Sequence, residues 1–318
     1  MTEKTPNDAN KAARENQTRL NQSVEVTKIR GLETELMNVR NLVGTFYPED
    51  RSANGFVILQ ASAEELAKPI AERIPPTALR HYYGFKDGKY HDDLYLKSGR
   101  QDAATIRKIV TEDGFQLKGE RILEFGCSAG RILRNFEEEA KAGEAWGVDL
   151  HSAAIHWAQT HLTPFNFFTN TTAPHLPFES NHFGLIFAGS VWTHIGEMDD
   201  AWLLEIRRVL RPGGRAYITI SDTNTLAEVK RLSPDHASNQ HVQDLDDATG
   251  MMSKDYVQFV TRTTPWLQRV VYNREQWVKR ISKWMDVKSF PILGYEARQT
   301  LNKRELGRTN HSQCGRGG

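Results

Sequence analysis

The sequence predicts an α/β fold in which a doubly wound, mostly parallel sheet carries helices on both faces. The first observation behind this is Arg121-Ile-Leu-Glu-Phe-Gly-Cys-Ser-Ala-Gly-Arg131. Here a short buried strand runs into a glycine turn and then into Arg131–Phe136, whose apolar residues recur at helical spacing. Strand, glycine turn and helix bring bare backbone close to a ligand at the carboxyl edge of a parallel sheet, where a Cβ would block the approach or forbid the turn. The second observation is the rhythm that follows. Glu144–Asp149, Asn166–Thr169, Phe183–Ala188 and Arg215–Ile220 are short strand-like runs, with helical stretches among them.

The amino-terminal part is read as an addition to this core. Residues 1–28 are expected to be a disordered tail, because the start of the chain is polar with almost nothing to bury. Residues 29–99 are expected to form a helical extension or lid. Ile29, Leu32, Leu36, Val39 and Val43 alternate at spacings of three and four, which suits either a helix packing on its own domain or the seam of a homodimer. A second helix is expected over Ala63–Arg73 with Ser62 as its N-cap. Ile74-Pro-Pro then fixes extended backbone. His81, Tyr82, Tyr83, Tyr90, His91 and Tyr95 follow as a cluster of rings that could wall a polar pocket or pack the extension onto the core. Ser98–Val110 reads as the helix leading into the first strand.

Asp149 ends the second strand 23 residues after Gly126, where a carboxylate can accept both hydroxyls of a ribose. The alternative for Asp149 is a cap for the helix His151–His161. Asn166–Thr169 is the third strand and Phe183–Ala188 the fourth. Trp202–Leu210 is an amphipathic helix stopped by Arg211-Pro-Gly-Gly214, and Arg215–Ile220 is the fifth strand. Residues 222–273 lose the rhythm and are read as an insertion that caps the site. Asn273–Met285 is a helix with Trp277, Ile281 and Trp284 on its apolar face. Val287–Pro291 and Glu296–Leu301 are expected to pair antiparallel and to complete seven strands, so the core would span 100–305 and a flexible tail 306–318.

Composition narrows the function. Lys and Arg number 41 against 40 Asp and Glu, a net charge of +1, so no bulk field attracts nucleic acid or an anionic membrane. The two cysteines, Cys127 and Cys314, support neither a disulfide framework nor a cysteine zinc site. No apolar leader and no membrane-length run is present, so a soluble cytoplasmic protein is expected. The turn itself excludes two ligands. A dinucleotide fingerprint needs glycine where Ser128 and Arg131 stand, and a phosphate-cradling loop needs Gly-Lys-Ser/Thr after the turn.

Glu124-Phe-Gly-Cys-Ser-Ala-Gly130 resembles motif I of the class I S-adenosylmethionine-dependent methyltransferases. Gly147-Val-Asp-Leu150, Leu176-Pro-Phe178 and Glu205-Ile-Arg-Arg-Val-Leu-Arg-Pro-Gly-Gly-Arg215 follow in that family's order, so the resemblance covers roughly residues 100–222. It implies a Rossmann-like methyltransferase sheet and S-adenosyl-L-methionine as cofactor. Glu124, Gly126, Cys127, Ser128 and Gly130 would border the cofactor at motif I, Asp149 and Leu150 at the nucleoside, and Ser190 beside the reacting methyl. Many relatives carry Asp-Ala before Leu-Pro-Phe to receive the adenine amine. Here Thr172-Ala173 stands there, and a hydroxyl or backbone group would substitute. Gly184 likewise replaces an acid. The acceptor would be an oxygen or nitrogen of a polar small molecule or glycan, reached without a metal, with His194 as the base or as a hydrogen-bonding residue of its loop. The rival reading is a catalytically silent member used for binding or assembly, which Thr172, Gly184 and the Ile29–Val43 seam favour.

Overall fold

The computed structural model describes residues 60–288 apart from 82, 143, 197, 223–254 and 261–267. The Ile29–Val43 seam therefore lies outside the described residues. Ser62 opens α1 (Ala63–Ala67) through a reciprocal capping box, its hydroxyl accepting from Glu65 N–H while the Glu65 carboxylate accepts from Ser62 N–H. This helix is shorter than the expected Ala63–Arg73. Pro69 cannot continue it, and Ile70–Glu72 forms a separate 3-10 turn.

A small hairpin, β1 (Phe85–Lys86) and β2 (Lys89–Tyr90), precedes α2 (Asp92–Glu112). The helix runs without a break through residue 99, where the extension was expected to meet the core. The core then alternates through β3 (Ile122–Phe125), α3 (Glu137–Ala142), β4 (Ala145–Asp149), α4 (Ser152–His161), β5 (Asn166–Thr169), β6 (Phe183–Ala188), α5 (Asp199–Val209) and β7 (Leu210–Ile218), the last taking in Arg211-Pro-Gly-Gly214, which the sequence reads as a turn ahead of a strand at Arg215–Ile220. These five strands form one parallel sheet in the order β5-β4-β3-β6-β7. The order reverses between β3 and β6, and the crevice at their carboxyl ends is where such sheets bind ligands.

Alternate side chains of β3 explain the layering. Ile122 joins an apolar cluster with Ala103 and Ile106 of α2 and Ala158 of α4. Leu123 and Phe125 point into the opposite cluster with Trp202 and Ile206 of α5. All of Phe183–Ala188 is buried, as a central parallel strand requires. A Cβ at Gly184 would meet the Glu120 carboxylate, the end of a flexible side chain that Arg211 holds at the amino end of the sheet.

Further expectations are corrected. The glycine turn does not lead directly into an α-helix, since Arg134 and Asn135 lie in a 3-10 turn, Leu133–Asn135, before α3. The antiparallel pair that follows the parallel sheet among the described residues is β8 (Tyr256–Val260) with β9 (Gln268–Tyr272), inside the stretch read as a cap. Tyr272 N–H donates to the Ser221 carbonyl, so β9 meets the chain just beyond β7. Of the strand expected at 287–291, Val287 and Lys288 are described and are not in a strand. The rest, with Glu296–Leu301, lies outside the described residues. Helix α6 (Arg274–Ile281) is capped by Asn273 and buries Trp277 and Ile281 as its pattern predicts, but it stops short of the expected Met285, and Trp284 lies half-buried in the turn beyond it. No helix among the described residues is long and apolar enough to cross a membrane.

Candidate active site

The glycine turn leaves β3 at the reversal point of the sheet. Gly126 has φ +78, and Gly126 and Cys127 both donate to the Val148 carbonyl, at 2.8 and 3.0 Å, tying the turn to β4. A Cβ on Gly126 would overlap Val191 Cγ2, from the loop after β6. The glycine thus serves close contact between two loops as well as the turn. Ser128, at φ +48, occupies the left-handed region that glycine prefers.

Asp149 organises this edge. Its carboxylate accepts the Ser128 N–H at 2.7 Å on one oxygen and the His151 N–H at 2.8 Å on the other. The ribose reading is compatible with this geometry, since each oxygen has a second lone pair and Asp149 is only partly buried, whereas Asp149 does not cap α4: it reaches only the N–H of His151, the N-cap residue, and no side chain caps that helix. Leu150 beside it is 42% exposed, an apolar surface ready for a ring. A strand-tip carboxylate with spare acceptor capacity, a bare glycine turn and an exposed leucine fit an adenosine-bearing cofactor. Thr172 and Ala173 lie exposed on the loop after β5, whose first residue, Asn170, donates from its backbone to the Asp149 carbonyl at 3.1 Å.

Two motif I residues work from beneath. The Cys127 side chain is buried against Gly147, and burial raises its thiol, so only its backbone faces the turn. Glu124 is 3% exposed and accepts the Leu133 N–H at 2.8 Å, bracing the 3-10 turn. Burial pushes its carboxyl up to about 8, against the pull of Arg131 and the Leu133 bond. Such a raised acid favours the fold while neutral: its contribution is complete below the ordinary value of 4.5 and is lost as pH rises through about 8. Glu124→Gln keeps the acceptor and removes the titration. Urea unfolding should therefore show wild-type stability falling between about pH 5 and 8, and a flatter profile in the variant.

On the β6 side, Ser190 has φ +63 and donates its N–H to Thr219 Oγ1 at 2.7 Å, while the Thr193 hydroxyl donates to the Ser190 carbonyl at 2.7 Å. His194 closes the 3-10 turn Trp192–His194, half-buried, its N–H donating to the Val191 carbonyl. The Tyr272 hydroxyl donates to the Ile195 carbonyl and locks the far end. The structure thus brings Gly126, Ser128, Asp149 and the Ser190–His194 turn to one crevice. Thr219 and Tyr272 were missed by pattern reading, the latter because it stands in a stretch without clear period. Among the described residues no group of three or more His, Cys, Asp or Glu is arranged to hold a metal.

Comparison with known proteins agrees with this geometry. Residues 123–218 match the family described as "Methyltransferase domain". The chain is 28% identical over 162 residues to the phthiotriol/phenolphthiotriol dimycocerosates methyltransferase of Mycobacterium leprae, covering 49% of this chain and 54% of that protein. It is 29% identical over 107 residues to the ubiquinone/menaquinone biosynthesis C-methyltransferase UbiE of Cupriavidus necator, covering 31% and 42%. The solved PH0226 protein from Pyrococcus horikoshii OT3 aligns at 17% identity and a TM-score of 0.45, over 67% of this chain and 92% of its own. The chain spans about half the length, or less, of the curated relatives it matches. The glycine turn, strand-tip aspartate and strand order stand in the arrangement that the motifs predict, and residues 123–218, which carry them, match the methyltransferase-domain family.

Proposed function

We propose that the chain transfers a methyl group from S-adenosylmethionine to an oxygen or nitrogen of a polar small molecule or glycan, without a metal. The observation that carries the reading is the convergence of the glycine turn, Asp149 and the Ser190–His194 turn on the crevice between β3 and β6. The cofactor, when bound, supplies an electrophilic methyl on a good leaving group. What this chain contributes is alignment: Asp149 holds the nucleoside end, and the Val191 contact sets the β6 loop against the turn. Alignment of this kind can be worth about 7–11 kcal/mol of barrier. A base is needed where the acceptor is a hydroxyl or a protonated amine, and His194 is the residue proposed for it.

A second reading is favoured by the relatives' names, which specify a C-methyltransferase of ubiquinone/menaquinone biosynthesis and a phthiotriol/phenolphthiotriol dimycocerosates methyltransferase. Labelled S-adenosylmethionine offered with sugars, amines, quinols and phenolic lipids separates the two. Label on carbon or on a lipid alone overturns the first reading, and absence of transfer to any acceptor favours a binding role. With a hydroxyl acceptor, His194→Ala should lower kcat by about 10²–10⁴ at little changed cofactor affinity. His194→Gln keeps a hydrogen bond without proton transfer. Normal turnover in both variants leaves His194 a structural residue of its loop.

A further inference from the structure

The amino-terminal segment is clamped to the glycine turn from several sides. The Ser128 hydroxyl donates to the Leu79 carbonyl at 3.3 Å. Arg131, 7% exposed, lies with its guanidinium 3.7 Å from the centre of the Tyr83 ring, donates to Ser98 Oγ at 3.1 Å and pairs with Asp102 at 2.7 Å. Arg134, 1% exposed, donates to the carbonyls of Ala129 and Gly130 at 2.8 and 2.9 Å and reaches the Arg73 carbonyl as well.

Arg131 stands where a dinucleotide fingerprint would have its third glycine, the one that lets helix and strand pack closely. The close approach persists but is supplied by the other partner. Gly99 of α2 lies so near the Arg131 carbonyl that a Cβ on residue 99 would overlap it. The arginine side chain is thereby freed to leave the turn and enter the extension. A serine holds a left-handed conformation only where its surroundings over-determine it, and a buried guanidinium is costly unless fully paired. Both conditions are met at the same junction.

We propose that Arg131 is a positioning residue for the cofactor turn. Gripped by Tyr83, Ser98 and Asp102, it holds Ser128 left-handed with its N–H aimed at Asp149, so the amino-terminal segment strengthens cofactor binding through the turn. This role rests on the cofactor reading given above.

The test uses the full chain, calorimetry with S-adenosylhomocysteine, and hydrogen exchange of the ligand-free protein. Arg131→Met should weaken binding about tenfold or more, and Arg131→Lys should recover part of the loss by keeping the pair with Asp102. Tyr83→Leu, at a half-buried site on the extension, should weaken binding in the same direction and remains informative if Arg131→Met fails to fold. In each weakened variant the amides of 126–130 should exchange faster while those of β7 stay unchanged. Variants that bind as tightly as wild type, or whose exchange rises equally across the sheet, overturn the role of Arg131 alone. A wild-type chain that binds no S-adenosylhomocysteine overturns the cofactor reading and this role with it.

Discussion

Replacing Asp149 with alanine is expected to lower affinity for S-adenosylhomocysteine by roughly a hundredfold or more. Hydrogen bonds to a charged acceptor contribute about 1.5–3 kcal/mol each, and every 1.4 kcal/mol is tenfold. The structure adds a second route to the same loss, because the carboxylate also receives the Ser128 and His151 N–H groups. Those two donors would lose their partner even before a ligand arrives, so unfolding measured without ligand should show a stability loss too. Asp149→Asn separates the contributions: it retains one acceptor oxygen and sets an amide donor against the other N–H. Calorimetry showing unchanged affinity in Asp149→Ala removes the ribose assignment, whatever happens to stability.

Gly126→Ala should be destabilising by about 2–5 kcal/mol, the sum of roughly 1–2 for a left-handed non-glycine residue and about 1–3 for overpacking. From the sequence, a Cβ there is expected to block the ligand's approach or forbid the turn. The φ of +78 and the contact with Val191 place the penalty on the fold as well. Adding Val191→Ala removes the Cγ2 that the new methyl would strike. The double variant should therefore recover the overpacking part and keep the backbone part, which denaturant titration of all four proteins resolves as a coupling energy. Additive losses would mean that the β6 loop does not touch the turn.

The parallel core was legible because its signals are local. A buried strand such as Ile122–Phe125 announces itself by composition, and Asp149 by its distance from the turn. What stayed hidden depends on contacts between distant segments. The β8–β9 pair lies where the pattern has no period, since Tyr256 and Tyr272 answer to partners in other elements. Glu124 was legible as a motif residue, but its burial beneath the turn was not, for a carboxylate in a motif looks the same whether it faces ligand or core. The role of Arg131 was visible only as a departure from glycine, and its explanation required Gly99, 32 positions earlier in the chain.

Gly184 bears on how this chain should be engineered. The resemblance to the methyltransferase motifs implies an acid there, so a library built on that resemblance would place aspartate at 184. In this chain the site lies at the amino end of the sheet, filled by Glu120, whose carboxylate is already held by Arg211. An aspartate would bring a second negative charge against the Glu120 carboxylate. Glycine at 184 leaves that room to Glu120, so the charge at this end of the sheet comes from the residue that leads into β3.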